Sequence, residues 1–318
     1  MRTTRRTRAR AYAAPMDPRL DELLPVIEQF GFHSGDIGDM RTRFHEVCST
    51  FPAPGGVAIE PLEVAGRAAL RFTPDGGCDG RRVLHLHGGA FVLADLDLQL
   101  MMPALLATTN GVEVISLDYR VAPEHPCPAA IEDAVAAFEE LAASGPVAAI
   151  AGESAGATLT LLTAIALRDR GAQLPSALVA VSPWVDLAGT SERHRDPDFV
   201  DPVLSRGFLA VAADAWRGDR SLEDPEVTPL HARLDGLPPT LVHVGGAELL
   251  LEDSLQLAER LATAGVHVEL RAFPGMPHVF PAYPTLTPEC DQSLSAIEAF
   301  LNDWSGPPTV SATSSSPT

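Results

Sequence analysis

The sequence predicts an α/β protein with a mostly parallel central sheet and helices on both of its faces. Three observations predict it. From residue 82 onward, apolar runs of strand length alternate with segments of helical periodicity. Two of the strand-to-helix junctions are glycine-bearing, at His87-Gly88-Gly89-Ala90 and at Gly152-Glu153-Ser154-Ala155-Gly156. With 46% hydrophobic and 20% charged residues in 318, the chain has the apolar material for a sizeable core and is neither disordered nor a disulfide miniature.

Residues 1–15 carry five arginines before position 11 and no apolar stretch of the roughly 7–15 residues a signal peptide needs, so they read as a disordered basic leader, with Met16 as a candidate start. Leu20, Leu23, Leu24 and Ile27 predict an amphipathic helix from Met16 to Phe30, and a second helix follows over 39–50 until Phe51-Pro-Ala-Pro-Gly-Gly56 ends it. Strands are expected over 57–64 and 68–72, with a turn at Pro74-Asp-Gly-Gly77. The alternation then runs strand 82–87, helix 98–109, strand 112–118, helix 129–143, strand 147–152, helix 155–170, strand 177–182. Strands separated by helices require right-handed crossovers and hence parallel pairing. The rhythm breaks over 184–238, rich in Asp, Arg and Pro, where only 204–216 looks helical; this reads as an insertion. Strand 240–245, helix 251–264, strand 267–273 and helix 292–304 resume the pattern, and the Ser/Thr/Pro-rich segment 305–318 reads as a disordered tail.

Composition excludes several function classes. All 23 basic residues are arginine, so a P-loop lysine, a Schiff-base lysine, a Ser-Lys pair and a protein-kinase centre are ruled out together. A net charge of −19 disfavours nucleic acid and anionic lipid as partners. No apolar run reaches the length of about 18 residues that a membrane span needs. Cys48, Cys78, Cys127 and Cys290 have no CxxC spacing, and His45 near Cys48 lacks a second ligand pair; they read as free thiols of a cytoplasmic protein without a metal.

The chemistry is carried by few residues. A Gly-x-Ser-x-Gly between a strand and a helix is the context of a nucleophile elbow: the glycines leave room for a strained turn that projects Ser154 at a helix N-terminus, where free amides favour developing negative charge. Gly88 and Gly89, after strand 82–87, are candidate oxyanion donors, joined by the amide of Ala155. His85 and His87 share an H-x-H spacing seen in metal sites, but the further ligands are missing, so His85 is read as a sheet residue and His87 as an orderer of the loop. Of ten histidines, His278 in a Pro/Gly loop after the last strand stands in the Ser, acid, His order; His243 and His267 are expected to be packed within strands. The acid belongs after strand 240–245, where Glu248 comes first and Glu252 and Asp253 fall inside the next helix; Glu248 is favoured.

Taken together, His87-Gly-Gly-Ala-Phe91, Asp118-Tyr-Arg-Val-Ala-Pro-Glu-His-Pro126 with Pro128-Ala-Ala-Ile-Glu-Asp133, Gly152-Glu-Ser-Ala-Gly156 and Gly275-Met-Pro-His278 resemble the hormone-sensitive-lipase-like carboxylesterases of the α/β-hydrolase fold, in the family's order over roughly 82–301. The resemblance implies a catalytic domain over 16–304 with a helical cap from about 16–50 and 185–237, Ser154 as nucleophile, His278 as base, and Gly88, Gly89 and Ala155 as oxyanion donors. Ala90 replaces the usual third glycine, Glu153 stands where Asp or Thr is common, Ala157 where a further Gly is frequent, and Glu248 where Asp followed by Pro-Leu is more usual. Asp118-Tyr-Arg120 and Pro123-Glu124 are expected to be structural.

The expected activity is hydrolysis of small or medium acyl esters or lactones through an acyl-enzyme on Ser154, with Glu248 orienting His278 and no cofactor. Phe30, Phe32, Phe44, Trp184, Phe199 and Trp216 are candidates for an apolar pocket, and a homodimer is one assembly compatible with the sequence. The rival readings are acyl transfer or cyclisation on the same triad, and a non-catalytic ligand-binding protein on the same scaffold.

Overall fold

The computed structural model describes residues 17–23, 25, 36–49, 54–93, 96, 99–283 and 287–305; the leader, Phe30, Phe32 and the tail beyond Ser305 lie outside them. Strands β1 (Val57–Val64), β2 (Arg67–Pro74), β3 (Arg82–Leu86), β4 (Glu113–Leu117), β5 (Val147–Glu153), β6 (Ala177–Val181), β7 (Thr240–Gly245) and β8 (Val268–Phe273) form one sheet in the order β1-β2-β4-β3-β5-β6-β7-β8. β1–β2 and β2–β4 pair antiparallel and every other neighbour is parallel.

The central strands are apolar because both of their faces are covered. Leu84, Ile115, Ile150, Leu178 and Val242 point to one side, where they meet α3 (Ala129–Ser144), α4 (Ala155–Asp169) and α7 (Leu251–Thr263) through side chains such as Phe138, Leu161 and Leu257. Their neighbours Val83, Val114, Ala149, Val179 and Leu241 point to the other, against Leu106 of α2 (Met101–Asn110) and Phe300 of α8 (Pro288–Trp304). This is the period-two alternation of strands, with both sets buried.

Between β6 and β7 lie the short α5 (Glu192–Arg195), α6 (Arg206–Arg217) and a 3₁₀ turn at Pro229–His231. Ser205 caps α6 by accepting from the Phe208 amide, and Phe208, Leu209, Ala212, Ala213 and Trp216 fall on its single buried face. The insertion thus packs into the main core.

Four expectations change. The first described element is a 3₁₀ turn, Pro18–Leu23, where the start of the helix from Met16 to Phe30 is expected; Pro25 is helical, and the other residues of the expected helix beyond Leu23 lie outside the described ones. The helix α1 (Ile37–Cys48) starts two residues before the expected one, with Asp36 as its side-chain cap. His267 precedes β8 and is half-exposed beside Glu269, so it is not a packed strand residue, whereas His243 is fully buried in β7. α8 begins at Pro288, a residue that fits the first helical turn because its missing N–H would have no partner there.

The β5–α4 junction tolerates no side chain at Gly156: a Cβ there would stand 1.9 Å from the Leu86 carbonyl oxygen and 2.5 Å from that of His87. At Gly207, in α6, an added Cβ meets nothing within 4 Å. Gly156→Ala is therefore expected to destabilise the chain by at least about 3 kcal/mol, and Gly207→Ala to stabilise it by about 0.5–1 kcal/mol. Urea midpoints measure both, and a G156A midpoint equal to that of the unchanged chain would show that the junction is looser than described.

Candidate active site

The junctions at the carboxyl ends of β3, β5, β7 and β8 converge on one place. β5 is buried along its whole length and hands over to α4 through Ser154, whose backbone sits at φ 55 and ψ −123. This strained conformation lifts the side chain out of both the strand and the helix. Ser154 is 8% exposed, His278 6% and Glu248 0%, so the three lie just beneath the surface.

Ser154 Oγ is 3.0 Å from His278 Nε2, and His278 Nδ1 is 2.8 Å from Glu248 Oε2. A carboxylate only accepts, so Nδ1 carries the proton and Nε2 presents its lone pair to the serine hydroxyl. The other carboxylate oxygen of Glu248 accepts from the Gly245 amide at 2.5 Å and from Ser182 Oγ at 2.6 Å. Burial pushes the Glu248 carboxyl up, opposed by His278, Ser182 and the Gly245 amide. The loop bearing the acid approaches the histidine loop so closely that a Cβ on Gly245 would lie 2.2 Å from the Met276 carbonyl oxygen; this is the need that Gly245 meets.

The competing carboxylates are engaged elsewhere. Glu252 accepts from the Arg193 amide at 3.1 Å, and Asp253 from the amides of Val185 and Asp186 at 3.0 and 2.8 Å.

The loop after β3 lies against Ser154, with a Cβ on Gly88 falling 3.4 Å from that of the serine. One expected donor is already spoken for. The Gly88 N–H donates to Glu153 Oε1 at 2.8 Å, so it is not available to an oxyanion. The amides of Gly89, Ala90 and Ala155 have no acceptor among the described residues. Gly89 and Ala90 have φ of 111° and 52°, which turns the loop inward. Glu153 is buried, and its second oxygen accepts from His85 Nε2 at 2.8 Å, while His85 Nδ1 meets Ser116 Oγ at 2.9 Å. Burial raises the Glu153 carboxyl, but His85 and the Gly88 amide outweigh it and hold the group below its ordinary value.

His87 plays the ordering part: its Nδ1–H donates to the Gly88 carbonyl at 2.7 Å, and its ring stacks on Tyr119 with centroids 4.2 Å apart. The Tyr119 hydroxyl in turn donates to the His87 carbonyl at 2.7 Å. Burial lowers the His87 imidazolium pKa, keeping the ring neutral. Arg120 forms a fork with Asp133, and Arg41 one with Glu124, so that motif is structural.

Among the described residues, one group has metal-ligand types together: Asp186, His194 and Asp253, whose candidate atoms lie within 4.8 Å of one another. The His194 nitrogen facing Asp253 is hydrogen-bonded to Ser191 Oγ at 2.7 Å, and one Asp186 oxygen accepts three donors from Thr190 and Ser191. The group is a polar tie between the insertion and α7.

A family profile described as alpha/beta hydrolase fold matches residues 83–282. The chain belongs to the α/β-hydrolase family. Its relatives place this hydrolase in the hormone-sensitive-lipase branch. A protein named acetyl-hydrolase from Streptomyces hygroscopicus is 32% identical over 90% of this chain and 97% of its own length. One named esterase from Acinetobacter venetianus is 34% identical over 82% of this chain and 87% of its own. The crystal structure of an esterase from the bacterial hormone-sensitive lipase family superposes with a TM-score of 0.85 at 34% identity, covering 91% of this chain and 99% of that one.

Relative to sequence reasoning, this α/β hydrolase adds Ser182, Arg193, Asp201 and the Ala90 amide to the neighbourhood of the site. Ser182 directly follows β6 beside an elbow strand, which is a usable signal; Arg193 lies in the four-residue α5, and Asp201 and Ala90 in irregular segments, with none. Of the expected pocket residues, Trp184, Phe199 and Trp216 are buried in the core, and Phe44 packs partly buried against it.

Glu153→Ala would leave the Gly88 amide and the His85 ring buried without their acceptor, at a cost of about 1–3 kcal/mol for each orphaned group. A loss of roughly 3 kcal/mol in denaturant unfolding is expected, and about half of that for Glu153→Gln, which keeps one acceptor oxygen. Equal stability of all three proteins would show that the carboxylate bridges nothing.

Proposed function

We propose that the chain is a serine carboxylic-ester hydrolase acting on small or medium acyl esters or lactones. One observation carries the reading: the continuous relay from Ser154 Oγ through the His278 ring to Glu248, with the proton-bearing nitrogen on the acid's side. Ser154 attacks the carbonyl as His278 Nε2 takes its proton; the imidazolium faces Glu248 and then protonates the leaving alcohol. Water, activated by the same nitrogen, releases the acyl group. Gly89, Ala90 and Ala155 supply the oxyanion donors, with Gly88 replaced in that role by Ala90. Removing one such donor typically costs about 10²–10³ in rate.

The α1 region and the insertion between β6 and β7 form the cap in this reading. Phe91, in the oxyanion loop, stacks on Trp216 of α6 with centroids 3.9 Å apart, and the Trp184 amide lies 3.4 Å from the Ser154 carbonyl. A relative named acetyl-hydrolase, 32% identical over 90% of this chain, supports a short acyl group. Among the described residues no helix is long and apolar enough to cross a membrane. The thiols of Cys78, Cys127 and Cys290, which form no disulfide, fit a cytoplasmic location.

With p-nitrophenyl esters of rising chain length and a few lactones, turnover is expected to be highest for two to four acyl carbons, and Ser154→Ala to lower kcat on the order of 10⁴-fold or more. An unchanged rate in that variant rules the mechanism out. Glu248→Gln is expected to lose far more kcat than Glu252→Gln, and the reverse order would reassign the acid.

A further inference from the structure

The short segment that carries Glu248 is held on two sides. On the inner side it hangs from the histidine loop: the Gly246 amide donates to the Phe273 carbonyl at 2.7 Å and the Ala247 amide to that of Met276 at 3.0 Å. On the outer side its partners come from the insertion between β6 and β7. Arg193 Nη1 donates to the Gly246 carbonyl at 3.1 Å and to the Glu248 carbonyl, and Asp201 Oδ2 accepts from the Leu249 amide at 2.5 Å. Arg193 is 5% exposed and Asp201 7%.

We infer that Arg193 and Asp201 are positioning residues for the catalytic acid, so that the insertion forms one wall of the triad as well as a cover over the cleft. The inference rests on the proposed role of Glu248. Its physical basis is the accounting of buried polar groups. Two buried carbonyls and one buried amide of the 246–249 segment look outward, and an unsatisfied backbone group in the interior costs about 1–3 kcal/mol. Without the insertion these three groups favour turning the segment toward water, and the carboxylate turns with it.

Both side chains are themselves fixed. Asp201 Oδ1 accepts from the Val203 and Leu204 amides at 2.7 and 2.8 Å. The Arg193 guanidinium lies over the Phe199 ring, 4.8 Å from its centroid. Arg206, at the start of α6, donates to the carbonyls of Arg193, His194, Asp196 and Phe199 and so closes the turn on which both residues ride. The Arg193 amide also reaches Glu252 at the head of α7, tying the turn to the helix that follows the acid. A rigid clamp of this kind sets carboxylate placement, and displacements of about 1 Å are enough to lower turnover substantially.

The test is a double-mutant cycle on the full chain with a short p-nitrophenyl ester. Arg193→Gln, which is too short to span both carbonyls, is expected to lower kcat by roughly 10–100-fold with KM within about threefold of the original, because the loss falls on the chemical step and not on ester binding. In a Glu248→Gln background the same substitution is expected to lower kcat by less than about threefold further, since the group it positions is already disabled. Should R193Q not fold at the assay temperature, Asp201→Asn, which retains its shape but presents an amide nitrogen in place of one accepting oxygen, is read in the same way. An undiminished kcat, or an equal loss in both backgrounds, overturns the inference while leaving the triad intact. An E248Q chain with full kcat overturns the acid assignment and this inference with it.

Discussion

Everything in the site depends on how closely the β5–α4 turn presses against the end of β3. Gly156 comes so near the Leu86 and His87 carbonyls that no Cβ fits between them, and this contact brings the loop after β3 alongside the nucleophile. Backbone amides serve as oxyanion donors only when they are fixed before the charge appears. The backbone contact between this turn and the end of β3 provides that fixity, and the Glu153 carboxylate, reaching across to the Gly88 amide, adds to it. Ser154 at positive φ is the strained residue of the turn, and the burial of β5 along its length is what holds it there.

The fold was legible because parallel strands buried on both faces are plain apolar runs, and because the helices between them carry clear periodicity. That Ser154, His278 and Glu248 meet in space was legible from their order and from the strand ends they follow. The choice among Glu248, Glu252 and Asp253 needed coordinates: all three lie within six residues, and only the direction of each side chain separates them. The oxyanion loop shows the limit differently. Its glycines announced a turn, but which amides face inward depends on φ at Gly89 and Ala90 and on a carboxylate 65 positions later that takes up the Gly88 N–H. No local pattern encodes that. Arg193 and Asp201 were illegible for a related reason, since a buried charge in a one-turn helix or a loop of a polar insertion looks in sequence like any solvated surface residue.

The buried charges around the cleft follow one rule. A charge removed from water must find a partner or a set of backbone dipoles. Glu153 is met by His85 and the Gly88 amide, Glu248 by His278, Ser182 and the Gly245 amide, Asp201 by three amides, and Arg193 by two carbonyls. In each case the group that satisfies the charge belongs to a loop that has to be held still. The unfavourable burial of these side chains is thereby converted into definition of the three loops that meet at the nucleophile.

The glutamate at 248 poses a particular problem, because it has one more rotatable bond than aspartate and more freedom to lose when it is ordered. Its Oε1 is fixed by the Gly245 amide at 2.5 Å and Ser182 Oγ at 2.6 Å, which leaves Oε2 a narrow arc, and His278 lies on it. The Ser182 oxygen also accepts from the Val279 amide at 3.1 Å, immediately after the histidine. A single hydroxyl thus spans the acid and the histidine loop, and any change in their separation must stretch one of its two bonds. With the carboxylate pinned at one oxygen and gauged against the histidine loop by the same serine, the longer side chain presents its second oxygen to the imidazole as firmly as a shorter one would.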